Sequence, residues 1–364
     1  MNSISKHQLF SLMIIFEIGS TTLFALGIEG KQDAWIVILL AMVIGLCFVW
    51  VYCELQKAFP RKNFIEIINS ILGKWLGIPL SLLYAVFWLW PTARNLREFG
   101  ELITLTILPN TPLVVILCTF VFTSFFVLSL GVRVLGRTSE IIMPLIVFLI
   151  LVIFVMVALS GHMEPRNLLP VSGVSIKEIA FAAYPNVAMF PFGEIFIFSM
   201  YWCYVTDYLV VHRTSALVII LSGFLLSLTL AVFITVLGVK FTAASTIPFI
   251  EVVKMVSIGE FLTNLDAIGI CVIFLGGFYK MSIYLLGVTM VLATVFNIKS
   301  NRLLLFIVCI LLLWVSVIFE PNYTFHQWMN PFDTNYFYTP FLHVIPLLLF
   351  LIHRIKSKSQ KLTC

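Results

Sequence analysis

The sequence predicts an all-α polytopic membrane protein with ten transmembrane helices, on three observations. Of its 364 residues, 61% are apolar and only 11% charged, whereas a soluble chain carries about 25% charged residues; the mean hydropathy is +1.09. The apolar residues fall into ten runs, near 8–28, 34–56, 78–107, 112–131, 139–160, 178–203, 214–239, 260–296, 302–319 and 336–354. Backbone-breaking residues interrupt the first and the sixth of these runs at mid-depth. At roughly 20 to 25 residues per span, ten spans consume roughly 220 residues and leave short connections. A soluble fold is excluded, and a channel, transporter or receptor remains.

The first run follows Lys6 and His7 and imitates a signal peptide, but no small-x-small cleavage site follows it and further spans come at once. It reads as the first transmembrane helix. Lys6, Lys57, Arg61, Lys62, Lys74, Arg133, Arg137, Arg213, Lys299, Arg302, Arg354, Lys356, Lys358 and Lys361 fall on the side of the N-terminus, against Lys31, Arg166, Lys177, Lys240 and Lys254 on the other. Lys and Arg in short loops set orientation, so both termini are expected in the cytoplasm. The formal charge of +5 is thereby topogenic and gives no reason to expect nucleic acid as a partner. Two connections, 63–72 and 247–258, are amphipathic and predict interfacial helices. The segments 161–175 and 320–335, rich in Pro, Asn and aromatic residues, predict ordered caps within one membrane domain spanning 1–364. Of seven cysteines, Cys47, Cys118, Cys271 and Cys309 lie in apolar runs and are expected to be buried apolar side chains.

The interruptions carry the functional argument. Glu17-Ile18-Gly19-Ser20-Thr21-Thr22 breaks the first span, and Tyr184-Pro185 with Pro191-Phe192-Gly193-Glu194 breaks the sixth. The second lies five spans after the first, so the two cross the membrane in opposite senses, the relation that a five-plus-five inverted repeat requires. The halves are expected near 8–160 and 178–354. Unwound backbone persists in a bilayer only where protein, water or a ligand satisfies its N–H and C=O groups. Freed donors suit a carboxylate and freed carbonyls an ammonium or a cation, and an amino acid carries both groups. Taken singly, Gly, Ser and Pro also serve as kinks or close-packing points; their pairing favours a site. Candidate ligand-binding residues are Gly19, Ser20, Thr21, Pro191, Phe192 and Gly193 at the breaks and Gly276, Gly277 and Ser282 on the eighth span. Tyr84 and Trp88, four apart on the third span, either cover a ligand or belong to an interfacial aromatic belt. Tyr201 and Trp202 are expected in such a belt.

An ionised side chain at the centre of a spanning helix costs about 2.5–3.5 kcal/mol on insertion scales, so it faces the bundle and finds a partner. The third span holds Arg94, Arg97, Glu98 and Glu101, spaced for the i,i+4 pairs Arg94–Glu98 and Arg97–Glu101, and Pro91 is expected to bend it. These charges serve either mutual neutralisation or a gate, subunit contact or ion path. Glu17 and Glu194 place carboxylates beside the breaks and are candidates for a cation or proton site. Lys280, on the eighth span, is expected to pair with Glu17, Glu98 or Glu194, or to offer a free charge.

The ten spans, the Gly19-Ser20 break, Phe190-Pro191-Phe192-Gly193-Glu194 and the Arg/Glu-bearing third span resemble the B-subunit family of spore germinant receptors, within the amino acid–polyamine–organocation superfamily. The resemblance covers essentially the whole chain. It implies a leucine-transporter-like fold in the spore inner membrane of a bacterium, a nutrient ligand, commonly a small amino acid, and partnership with an A subunit and a lipid-anchored C subunit. It also implies that spans one, three, six and eight surround the ligand. In some transporters of the superfamily a lysine stands in for a sodium ion, a role open to Lys280.

No H-E-x-x-H, G-x-S-x-G or Walker A motif is present, and none of the six histidines has metal-ligand spacing. No catalytic residue, cofactor or metal is expected. The expected function is recognition of a small amino acid that triggers germination; the alternatives are an amino acid and cation symporter or a ligand-gated ion channel.

Overall fold

The computed structural model describes residues 3–106, 108–205, 207–255, 265–298, 301–320 and 323–362, and all regular structure among them is helical. Helix α1 (Lys6–Ile18) opens on a capping box in which Ser5 and Gln8 exchange side-chain and backbone hydrogen bonds. It stops at Gly19 and resumes for one turn at Thr21–Leu23. The carbonyls freed by the interruption are taken locally: the Thr21 hydroxyl donates to the Glu17 carbonyl, and the Thr22 hydroxyl to that of Ile18 at 3.0 Å. Gly27, at φ +69°, turns the chain toward α2 (Ala34–Ala58). Helix α3 (Phe64–Thr106) contains the interfacial stretch predicted at 63–72, which buries Ile65, Ile67, Ile68 and Ile71 and ends at Gly73 with φ +75°. Beyond it, α3 stays helical through Pro79 and Pro91.

Helices α4 (Leu113–Ser129) and α5 (Val132–Leu159) complete the first half. Helix α6 (Ile176–Ala182) starts on a Ser175/Glu178 capping box, then widens through Ala183–Gly193 and tightens through Glu194–Met200. Within the wide segment Tyr184 and Phe190 are extended; each precedes a proline, whose ring disfavours helical geometry in the residue before it. Then follow α7 (Tyr208–Ala244), the short amphipathic α8 (Pro248–Met255), α9 (Leu265–Phe296), α10 (Asn301–Ile318) and α11 (Tyr323–Phe332). A widely wound segment, Asp333–Val344, leads into α12 (Ile345–Leu362). Among the described residues, seven helical stretches are long and apolar enough to cross a membrane, and α4 and α10 are shorter apolar helices. With α1 they make the ten passes the sequence predicts, the eighth being α9. The remainder of the amphipathic segment beyond Met255, the start of the eighth apolar run, Lys299 and Cys364 lie outside the described residues.

Helix α2 packs along α7 and α3 along α9, while α1 lies against α5, α7 and α9. The second pass of one half thus meets the second of the other, and the third meets the third, as a two-fold axis between opposed halves requires. Polarity is distributed inside out relative to a soluble protein. Phe122, Phe148, Leu159 and Phe306 are exposed on the outer surface, whereas Glu17, Arg94, Glu194 and Lys280 are buried. Hydrocarbon solvates the outside, so only the interior can host charge.

That inversion corrects two expectations. Cys47, Cys118 and Cys271 are exposed on the bundle surface and only Cys309 of the four is buried, because lipid is as apolar as the core and an apolar run does not reveal its facing. Tyr201 and Trp202 are not in an interfacial belt but fully buried, the Tyr201 hydroxyl donating to the Ile283 carbonyl.

At the first break two helices approach backbone to backbone. A Cβ built on Gly19 lies 2.7 Å from the Gly276 Cα, so α9 crosses α1 main chain to main chain. Gly276→Ala is therefore expected to destabilise the protein by about 1–3 kcal/mol, as overpacking does. Gly269→Ala, whose Cβ meets the end of the Ile250 side chain at 3.3 Å, is expected to melt close to the parent; thermal melting in detergent compares the two.

Candidate functional site

Two buried polar groups face one another across the middle of the bundle. The first joins both breaks to α9. Lys280 Nζ lies 2.7 Å from Glu194 Oε2 and donates to Ser20 Oγ at 3.1 Å, with the Phe190 and Phe16 rings 4.2 and 5.3 Å away. The ammonium thereby receives a carboxylate, a hydroxyl and two ring faces, which offsets part of its desolvation. Glu17 is fully buried within electrostatic reach of Lys280 and Glu194, and its carboxylate oxygens accept no hydrogen bond among the described residues.

The second group links α3 to α11 and to the residues flanking it. Arg94 Nε lies 3.1 Å from Glu320 Oε1, and its guanidinium also pairs with Asp333. It donates further to the His326 carbonyl and to Asn330 Oδ1, both at 2.7 Å. His326 stands between two carboxylates, Nδ1 2.9 Å from Glu320 and Nε2 3.5 Å from Glu98. Arg97 pairs with Glu101 at 2.7 Å, as the spacing predicts. The predicted Arg94–Glu98 pair is replaced: Arg94 turns to four groups of the α11 region, where a planar donor fork is satisfied more completely than by one carboxylate on its own helix.

Between the two groups lies a cavity of about 460 Å³. Its walls are the 24–29 turn after the first break, Arg94, Asn95 and Glu98 of α3, Asn186, Phe190 and Glu194 of the second break, Lys280 and Tyr284 of α9, and residues of α11 and the segment after it, among them Tyr338. It lies on the side of the bundle away from the termini. Toward the termini along α3 and the sixth pass follows an aromatic layer. Phe64, Tyr84, Trp88 and Phe196 pack with ring centroids 4.6 to 6.4 Å apart. The hydroxyls of Tyr84 and Tyr52 donate to the Phe341 and Leu342 carbonyls.

Of the residues singled out from sequence, Arg94, Glu98, Glu194 and Lys280 line the cavity, and Ser20 reaches it through Lys280. The remainder are placed elsewhere. Tyr84 and Trp88 are fully buried in the aromatic layer, neither in a belt nor on the cavity wall. Gly19 and Gly276 meet each other, Gly277 faces the Phe99 ring, and Gly193 faces Leu342 and His343. Ser282 is 3.0 Å from Ser124 of α4, and Thr21 is turned to its own helix. Pro191 and Phe192 are buried, Phe192 against Gly45 of α2. Sequence reasoning missed Asn95, Asn186, Tyr284, His326, Asn330 and Tyr338. Asn95, one residue from Arg94 inside an apolar span, was the detectable signal; the residues of α11 read as a cap.

Severing the Lys280–Glu194 pair is expected to be costly, because it leaves a buried charge alone. Lys280→Met is expected to destabilise by about 3–5 kcal/mol, and the Lys280→Met/Glu194→Gln double variant to recover much of that loss. Melting curves of the four proteins of the cycle measure the coupling.

This architecture matches solved transporters. MhsT in complex with L-phenylalanine superposes with a TM-score of 0.68 at 12% identity, covering 96% of this chain and 89% of that one. MHP1, a nucleobase-cation-symport-1 family transporter in a closed conformation with bromovinylhydantoin bound, gives a TM-score of 0.65 at 14% identity, covering 90% and 75%. The fold is thus of the leucine-transporter type. In sequence, the chain is 29% identical over 360 residues to spore germination protein KB of Bacillus subtilis (strain 168), covering 98% of this chain and 96% of that protein. It is 22% identical over 300 residues to spore germination protein XB of Bacillus anthracis, covering 80% and 81%. Residues 3–324 match the spore germination protein family, and the chain belongs to that family of multi-pass membrane permeases.

Proposed function

We propose that the chain is the B subunit of a nutrient germinant receptor, which binds a small amino acid in the cavity between the broken helices and signals germination through A and C subunits. It works in the spore inner membrane as a single domain of two opposed halves, near 8–160 and 178–354, with both termini cytoplasmic. On that orientation the cavity faces outward and the aromatic layer lies toward the cytoplasmic side. It performs no chemistry on its ligand and needs no cofactor or metal.

The observation that carries this reading is the cavity itself: residues at both interruptions line it, and it offers both signs of charge, with Lys280 and Arg94 against Glu98 and Glu194. A zwitterion of modest size suits that wall. Support comes also from the L-phenylalanine held by MhsT, a protein of the same fold. A ligand shifts a conformational equilibrium only by its differential affinity for two states, so closure must bring the walls together. The extended residues Tyr184 and Phe190, at the two ends of the wide segment of α6, are the natural hinges.

A symporter has the same site, and the transporter fold favours it as the second reading. Net uptake by the isolated chain in liposomes separates it from a receptor, which binds without accumulation and depends on its A subunit.

A thermal-shift panel of the twenty amino acids, on the chain alone and with A and C subunits, tests the site. Saturation at about 100 times Kd adds about 2.7 kcal/mol to the folded state. One or two small amino acids are expected to raise the melting temperature. Ala25→Trp, which fills the cavity from a partly exposed wall position, is expected to abolish that shift. No shift with any amino acid, with partners present and the protein folded, overturns the reading.

A further inference from the structure

The cavity wall carries more negative than positive charge, and the surplus has a location. Arg94 is matched by both Glu320 and Asp333, and Lys280 by Glu194. Glu29, Glu98 and Glu194 on the wall, with Glu17, Glu320 and Asp333 beside its cations, therefore share two permanent positive charges. His326 lies between Glu320 and Glu98, and even as the imidazolium it leaves the carboxylates in excess. On the α3 side of the cavity Glu98 is only loosely engaged: it lies 3.5 Å from His326 Nε2, whose other nitrogen is closer to Glu320.

A second, independent observation points to the same spot. Asn95, adjacent to Arg94 on α3 and also on the cavity wall, is 7% exposed, and its Oδ1 accepts no hydrogen bond among the described residues. A buried carbonyl oxygen without a donor is costly, so it marks a place where a donor is missing. Tyr338, also on the wall, lies within electrostatic reach of Glu98, Glu194, Glu320 and Arg94, which puts an aromatic ring among these groups.

We infer that Glu98 and Asn95 form a subsite on α3 for the ammonium group of the ligand. Glu98 supplies the counter-charge, Asn95 Oδ1 a hydrogen-bond acceptor, and Tyr338 an aromatic ring beside the cation. Glu194 is not available for this purpose, because Lys280 occupies it. The inference deepens the proposed function: the amino group points to α3, across the cavity from the breaks, and ligands lacking a cationic group are rejected. An alkali ion has the same charge chemistry, and the test separates the two.

The experiment uses the full-length protein in a buffer whose only cation is N-methyl-D-glucammonium. Ethylammonium, propionate and potassium are titrated at equal ionic strength and read by thermal shift, and the responding amino acid is then competed with each. Ethylammonium is expected to stabilise the wild type and to displace the amino acid, and propionate to do neither. Glu98→Gln is expected to weaken both ethylammonium and amino acid binding at least tenfold, Asn95→Leu severalfold, and Glu98→Asp to retain part of the affinity. The wild-type comparison stands even if a variant fails to fold. Stabilisation by propionate rather than ethylammonium overturns the subsite, as does unchanged binding in a folded Glu98→Gln. A potassium shift that Glu98→Gln abolishes, with no ethylammonium shift, overturns the ammonium assignment in favour of an inorganic ion. Ethylammonium binding that depends on Glu98, with no amino acid bound, supports the subsite while the amino acid reading falls.

Discussion

An ammonium buried on α9 holds the two broken helices together. Lys280 reaches Glu194 beside the second break and Ser20 within the first, so three elements from distant parts of the chain share one charge. The arrangement answers a strict requirement. Inside a bilayer, neither a free charge nor an unwound backbone can rely on water. Thr21 and Thr22 take the carbonyls freed by the first break, and Lys280 organises the side chains around them. Two glycines let α9 come close enough for this, because any side chain at Gly19 or Gly276 pushes the helices apart.

The second polar group differs in kind. Arg94 binds side chains and a carbonyl belonging to the region around α11, which fastens the cap between the ninth and tenth passes to the third. The cavity is what remains between a cluster centred on one lysine and a network centred on one arginine. Beneath it, rings from α3, α6 and the interfacial stretch pack without charge.

Much of the fold was legible in the sequence. A run of about 20 apolar residues has essentially one stable form in lipid, a helix that satisfies its own backbone, so the passes could be read off directly. The interfacial stretch at 63–72 and the amphipathic α8 were legible for a related reason, because half-polar helices belong at a boundary. The candidate site was legible only partly in membership. Glu98, Glu194, Arg94 and Lys280 stood out because charge inside a span is costly. Gly193 and Ser282 stood out equally and face other helices.

The sequence by itself determined the number of passes, the two interruptions and the presence of buried charge, since each follows from local composition against the cost of exposing polar groups to hydrocarbon. Tertiary structure alone decided which charge meets which. Arg94 passes over Glu98, four residues away, for Glu320 and Asp333, more than 200 residues distant in the chain, because i,i+4 spacing permits a pair without requiring it. Tyr84 and Trp88 likewise pack among Phe64 and Phe196, contacts that spacing alone does not reveal. In a chain whose surroundings are as apolar as its core, hydropathy cannot report which face of a helix turns inward; only the packing of one helix on another does.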